Sequence, residues 1–199
     1  MQSSEISWLK QAQNGDTEAF ARLVELYQKP VFNLCYRMLG DPAEAEDAAQ
    51  ETFLRAFRSL RRYDDNRPFG TWLLSIAAHY CIDKLRKQRM STVSTDEVES
   101  YQLTDKRPGP ESSLAQREEQ QMVQALLLEL NPIERAAVVM YYWYDYSYAE
   151  IGEALSLTES AVKSRLHRAR RAMALKVLEQ RDQEIALERA RHGEQSPAY

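Results

Sequence analysis

The residues best suited to chemistry in this 199-residue chain are cations, and the chemistry they suit is recognition of a polyanion. Residues 159–176 carry six Lys or Arg against one acid, in a chain whose net charge is −4. Such a local inversion points to nucleic acid. The cations fall within residues 147–173, SYAEIGEALSLTESAVKSRLHRARRAM, which read as two helices joined by a three-residue turn. In a helix-turn-helix the second helix enters the major groove with its N-terminal side chains at the base edges. At 100° per residue, Val162, Leu166, Ala169 and Met173 make one packing stripe. Ser160, Ser164, His167, Arg168 and Arg171 lie opposite, flanked by Lys163, Arg165 and Arg170, where phosphates would come within reach. An amphipathic surface helix with a solvated charged face fits the same charge pattern.

Bond-breaking chemistry has no comparable signal. Cys35 and Cys81 lack the C-x-x-C spacing of zinc or redox sites and read as small core residues. His79, His167 and His192 stand far apart in the sequence, so no metal constellation is expected. A Gly-rich phosphate loop, a nucleophile elbow and an H-E-x-x-H are all missing. The chain is therefore expected not to be an enzyme and to need no cofactor.

Two further surfaces precede the basic helix. In a helix predicted over residues 42–60, Ala45, Ala48, Ala49, Thr52, Phe53, Ala56 and Leu60 share a core face. Asp47, Gln50, Glu51 and Arg58 surround Leu54 on the other, a pattern suited to docking on a protein, although a lone exposed leucine is also common. Next comes FRSLRRYDDNRPFGTW, residues 57–72, where Arg58, Arg61, Arg62 and Arg67 interleave with Phe57, Tyr63, Phe69 and Trp72. Aromatic rings that stack on bases beside arginines that hold the backbone suit single-stranded DNA. Equally, Phe57, Phe69 and Trp72 could be core, since Trp72 aligns with Phe69, Ile76 and Tyr80. The following helix is apolar around most of its circumference and leaves a polar edge of Ser75, His79, Asp83 and Arg86.

The elements that must position these residues are helical throughout, because the apolar spacing has no convincing period-two run. The expected class is all-α, with two small helical domains joined by a flexible acidic linker and a helix-turn-helix in the second. Helices are predicted near residues 6–13, 16–39, 42–60 and 69–89, with Asp16 and Asp41-Pro42 as N-terminal signals. Residues 91–113 are poor in apolar groups, contain Pro-Gly-Pro and carry a net charge of −3. They read as a solvated linker. Residues 114–179 form the second block, with Asn131-Pro132 starting a helix, and residues 180–199 are a charged tail that extends the last helix or frays. With 44% hydrophobic residues each block can hold a core. No apolar run is long enough to span a bilayer, and the N-terminus lacks a secretory pattern, so a cytoplasmic protein without membrane insertion is expected.

Three segments in this order resemble the bacterial RNA polymerase sigma factors of the small extracytoplasmic-function (ECF) group. They are DPAEAEDAAQETFLRAFRSL, RPFGTWLLSIAAHYCIDKLRKQR and LNPIERAAVVMYYWYDYSYAEIGEALSLTESAVKSRLHRARRAM. The resemblance implies that residues 1–90 are region 2 and residues 114–179 region 4. It implies that Asp47, Gln50, Glu51 and Leu54 dock on the clamp helices of the largest subunit of core RNA polymerase, with region 4 at the flap. It implies that Arg61, Arg62, Tyr63, Asn66, Trp72, His79, Asp83 and Arg86 read and open the −10 element, capturing a flipped base. Ser160, Lys163, Ser164, Arg165, His167, Arg168 and Arg171 then face the −35 element, and an anti-sigma factor is an expected partner. One departure stands out: Ser156-Leu157-Thr158 replaces a turn that usually begins with glycine. The competing reading is a stand-alone helix-turn-helix regulator of duplex DNA, whose first block would then need a ligand cavity or dimer seam.

Overall fold

The computed structural model describes residues 3–92 and 114–193, and among these every regular element is helical. Residues 93–113, most of the expected linker, and the last six residues of the expected tail lie outside the described residues.

The first block comprises α1 (Ser3–Gln13), α2 (Thr17–Leu39), α3 (Pro42–Ser59), a 3-10 turn at Leu60–Arg62 and α4 (Phe69–Thr92). Its boundaries follow from local chemistry. Gly15, at φ 99°, ends α1. Asp16 then accepts hydrogen bonds from the Glu18 and Ala19 N–H groups at 2.9 and 3.1 Å, satisfying donors that a helix start leaves without partners. Gly40, left-handed at φ 84°, closes α2 by donating to Tyr36 O. Asp41 caps α3 by accepting from Glu44 N at 2.8 Å, with Pro42 at the first helical position. The predicted α3 face is buried at Ala45, Ala48, Ala49, Thr52 and Ala56. Its small side chains let α3 lie close against α2 and α4. Cys35 of α2 and Cys81 of α4 are both buried, and the neighbouring Cys35 thiol, together with burial, raises the Cys81 pKa.

The second block comprises α5 (Leu114–Leu128), α6 (Pro132–Trp143), α7 (Tyr148–Leu155) and α8 (Glu159–Gly193). Asn131 caps α6 through Ile133 N. The last helix continues well beyond residue 179, so much of the expected tail is helical. Val162, Leu166 and Ala169 are buried and Met173 half-buried, as the predicted stripe requires.

The two blocks pack together along α2 and α4. The Arg135 side chain, 5% exposed on α6, reaches the end of α2 and donates to Met38 O while also bonding Leu128 O and Leu130 O of its own block. Burial pushes its pKa down to about 10, and the carbonyl dipoles at a helix C-terminus favour a cation there. Gln124 donates to Tyr36 O and Arg37 O, and Tyr144 donates to Pro30 O, so several carbonyls of α2 are satisfied from the other block.

Candidate nucleic-acid and partner interfaces

The helix-turn-helix is set by contacts between near neighbours. Ser147 and Glu150 form a reciprocal capping box at the start of α7. The Ser147 N–H, and then its hydroxyl, hold the Glu150 carboxyl below the usual carboxylate range. At the other end of α7, Ser156 is left-handed, with φ 56° and ψ 47°. A serine therefore occupies the conformation that glycine favours, at a strain of about 1–2 kcal/mol. Gly152 makes the turn compact: Leu157 N donates to its carbonyl at 2.7 Å, and a Cβ added at Gly152 would stand 2.7 Å from Leu157 O. The position that excludes a side chain therefore sits inside α7, while a serine holds the left-handed position at the turn.

On α8, Ser160, Lys163, Ser164, His167, Arg168 and Arg171 are exposed together on the side away from Val162, Leu166 and Ala169. Arg165 is half-buried, with its Nε enclosed by protein. Arg168 donates from Nε to Glu134 of α6 at 2.9 Å, which ties α8 to the helix beneath it. Thr158 caps α8 by accepting from Ala161 N.

The segment between α3 and α4 differs from its expected form. Tyr63 is 6% exposed and Phe69 1%, and both rings pack with half-buried Trp72, so Tyr63 and Phe69 belong to the core and offer no open face to a base. Burial, with Asp65 and Asp64 adding to it, pushes the Tyr63 hydroxyl up to about 12. That hydroxyl donates to Arg67 O and closes the loop from inside. Asp64 accepts from both the backbone and the side chain of Asn66. Arg61, Arg62 and Asn66 remain exposed, as does Phe57, which packs on Phe20. Along α4, His79, Asp83 and Arg86 are exposed on one edge. His79 Nδ1 lies 2.8 Å from Ser75 O; a carbonyl only accepts, so Nδ1 is the donor in that contact and Nε2 faces outward. Lys84 pairs with Glu44 and joins α4 to α3.

On α3, Asp47, Gln50 and Leu54 are exposed, Leu54 at 50%. Glu51 is half-buried and accepts from Arg55 at 2.7 Å, while the Arg55 guanidinium lies over the Tyr80 ring at 4.8 Å. The acidic face around Leu54 is thus partly preordered.

Three residues in these surfaces carry no signal in the sequence pattern. Gln13, at the end of α1, donates towards Leu60 O, Tyr63 O and Asp65 Oδ1. Glu153 of α7 pairs with Arg67 at 2.6 Å. Arg135 looks in the sequence like one more helical cation. Each has at least one partner far away in the chain, whereas Gly152, a residue type unusual within a helix, is open to detection from the sequence.

Two helical blocks, the second a helix-turn-helix with an exposed basic face, define the architecture of a DNA-binding protein. Residues 23–90 match the Sigma-70 region 2 family and residues 120–173 match Sigma-70, region 4. The ECF RNA polymerase sigma factor SigW of Bacillus subtilis is 37% identical over 172 residues, 83% of this chain and 92% of that one. SigX of the same organism is 30% identical over 86% of this chain and 92% of its own. CnrH, solved with the cytosolic domain of CnrY, shares the fold at a TM-score of 0.64, with 23% identity over 88% of this chain and 97% of that one. RpoE, co-crystallised with the anti-sigma factor NepR from Bartonella quintana, also reaches 0.64, at 20% identity over 77% and 93%. The chain belongs to the ECF RNA polymerase sigma factors, non-enzymatic DNA-binding factors of transcription initiation. Among the described residues no helix is long and apolar enough to cross a membrane.

Proposed function

We propose that this sigma factor binds core RNA polymerase, directs it to promoters and assists strand opening by dividing the work between its blocks. Residues 1–90 act as region 2 and residues 114–179 as region 4. The linker is 91–113 and the tail 180–199. The face of Asp47, Gln50, Glu51 and Leu54 docks on the clamp helices, with the exposed leucine as apolar anchor and the carboxylates setting register. Ser160, Lys163, Ser164, His167, Arg168 and Arg171 read the −35 duplex, and Arg165 contributes from the flank. Arg61, Arg62 and Asn66, with the His79, Asp83 and Arg86 edge, take up the −10 strand; Tyr63 and Trp72 support that surface from beneath.

The observation that carries this reading is the presence of two exposed basic surfaces, one on each block, in a chain that is acidic overall. A factor delivered by polymerase needs little DNA affinity of its own, and an unpaired base held by the loop region shifts the opening equilibrium. RpoE in complex with NepR supports an anti-sigma factor as a partner here too.

The test is initiation by core polymerase on a supercoiled promoter library with and without the protein. Specific transcripts dependent on the protein are expected. Tight duplex binding by the protein alone with no specific transcript would overturn the proposal in favour of a stand-alone regulator. Asp47→Lys with Glu51→Lys should weaken polymerase association and leave the full chain's affinity for −35 duplex unchanged.

A further inference from the structure

We propose that Gln13 is a positioning residue for strand capture: from the end of α1 its side-chain amide fixes the loop of residues 60–67 in the shape that presents Arg61, Arg62 and Asn66. This rests on the reading of that loop as the part that takes up unpaired promoter DNA. Gln13 Nε2 lies 3.3 Å from Tyr63 O, 3.3 Å from Asp65 Oδ1 and 3.5 Å from Leu60 O. Its two N–H groups are thus shared among acceptors at the beginning, middle and far side of the turn. The helix that carries it precedes residues 23–90, the span of the region 2 match.

The amide is held at a defined place. Leu9 and Ala12 bury one side of α1, and Glu5, itself buried, accepts from Tyr27 Oη of α2 at 2.6 Å. The chain after Gln13 is fixed by Gly15 N donating to Ala12 O and Asp16 N donating to Gln11 O. The loop's other hydrogen bonds are internal, Tyr63 to Arg67, Asn66 to Asp64, and Arg67 N to Asp64 O, and the Arg67 side chain also pairs with Glu153 of α7. Internal bonds fix a local shape; Gln13 fixes that shape relative to α1 and α2. It also draws one oxygen of Asp65 back towards α1, which orients an acid that would otherwise repel phosphate beside Arg61 and Arg62.

Gln13→Glu preserves size but exchanges both donors for acceptors and sets a carboxylate against Asp65 and two carbonyls. In complex with core polymerase, the variant should bind a single-stranded oligonucleotide weakened about five- to tenfold, the scale of one or two neutral hydrogen bonds. The oligonucleotide is the nontemplate −10 strand of a promoter recovered in the transcription assay. Promoter opening, followed by 2-aminopurine fluorescence, should slow by a similar factor. Affinity for core polymerase and for −35 duplex should stay within about twofold, because none of the residues proposed to contact either of them lies in the loop. Adding Asp65→Asn restores a donor to that leg and should recover part of the loss. Gln13→Met, with neither donors nor charge, should fall between wild type and Gln13→Glu and guards against a folding defect. Wild-type oligonucleotide binding by both variants overturns the proposal, as does an equal loss in all three affinities. If the wild-type complex itself ignores the oligonucleotide, the strand-capture reading fails and the proposal with it, whereas a binding wild type with indifferent variants removes Gln13 alone.

Discussion

In the helix-turn-helix, the bonds that shape the turn join residues a few positions apart: Ser147 with Glu150, Gly152 with Leu157, Thr158 with Ala161. In the loop between α3 and α4 such local bonds are joined by ties that come from elsewhere. Gln13 reaches across 47 to 52 positions, Tyr63 is buried among Phe69 and Trp72, and Glu153 comes from the other block. The difference matches the ligands proposed for them. A major groove is a rigid template, and a helix at a locally fixed angle reads it without rearrangement. An unpaired strand adopts many shapes, so its receptor gains most from a loop whose exposed side chains are aimed by the rest of the domain. Local and long-range construction also predict different responses to substitution.

Gly152→Ala carries the largest expected effect. The new Cβ would stand 2.7 Å from Leu157 O, and backbone must move to admit it. A loss of about 2 kcal/mol is expected in the second block, within the range for overpacking, with −35 duplex binding impaired accordingly. Single-strand uptake by the polymerase complex should persist. Chemical denaturation and the two affinities check this, and an equal fall in both affinities would break the distinction between local and long-range construction.

Ser147→Ala should cost about 1 kcal/mol through loss of the cap. The pH dependence has a definite sign. Glu150 titrates lower in the folded state than its ordinary value near 4.5, so its contribution is present above that value. It is lost as pH falls through the lower folded value. Denaturation across pH 3 to 7 should therefore show the wild-type advantage shrinking on acidification, and Glu150→Gln should flatten it. Ser156→Gly should act in the opposite direction, stabilising by up to about 1 kcal/mol as left-handed strain is relieved, less the entropy glycine adds to the unfolded chain. A melt that falls would mean that Ser156 contributes more through its surroundings than its backbone costs.

The same division explains what the sequence disclosed. Asp16, Asp41-Pro42 and Asn131-Pro132 act on the N–H groups next to them, so their spacing was sufficient to place α2, α3 and α6. The stripe of Val162, Leu166 and Ala169 was legible because helical periodicity is also local. Tyr63 was not: an aromatic residue between arginines fits a stacking surface and a core anchor equally well, and only Phe69 and Trp72 folding back upon it decide the matter. Arg135 was hidden for a related reason, since a cation on a helix gives no sign that three carbonyls, one from the other block, enclose its guanidinium. Segment order and the resemblance it carried placed the family correctly, yet the residues that orient the loop had to come from three-dimensional neighbours.

The smallest expected effect addresses the ion pair that joins the loop to the helix-turn-helix block. Arg67 of the loop and Glu153 of α7 pair at 2.6 Å with side chains 51% and 43% exposed, so the pair should contribute no more than about 0.5 kcal/mol to stability. Its importance would be electrostatic competition, since Glu153 neutralises a cation beside the proposed strand path. Glu153→Gln should leave the melting temperature nearly unchanged and tighten oligonucleotide binding by the polymerase complex at low salt. The gain should fade as salt approaches 1 M, where screening acts within about 3 Å. Weaker binding in Glu153→Gln at every salt concentration would instead mean that Glu153 orients Arg67 as Gln13 orients the other side of the loop, and the helix-turn-helix block would then contribute to the shape of both readers.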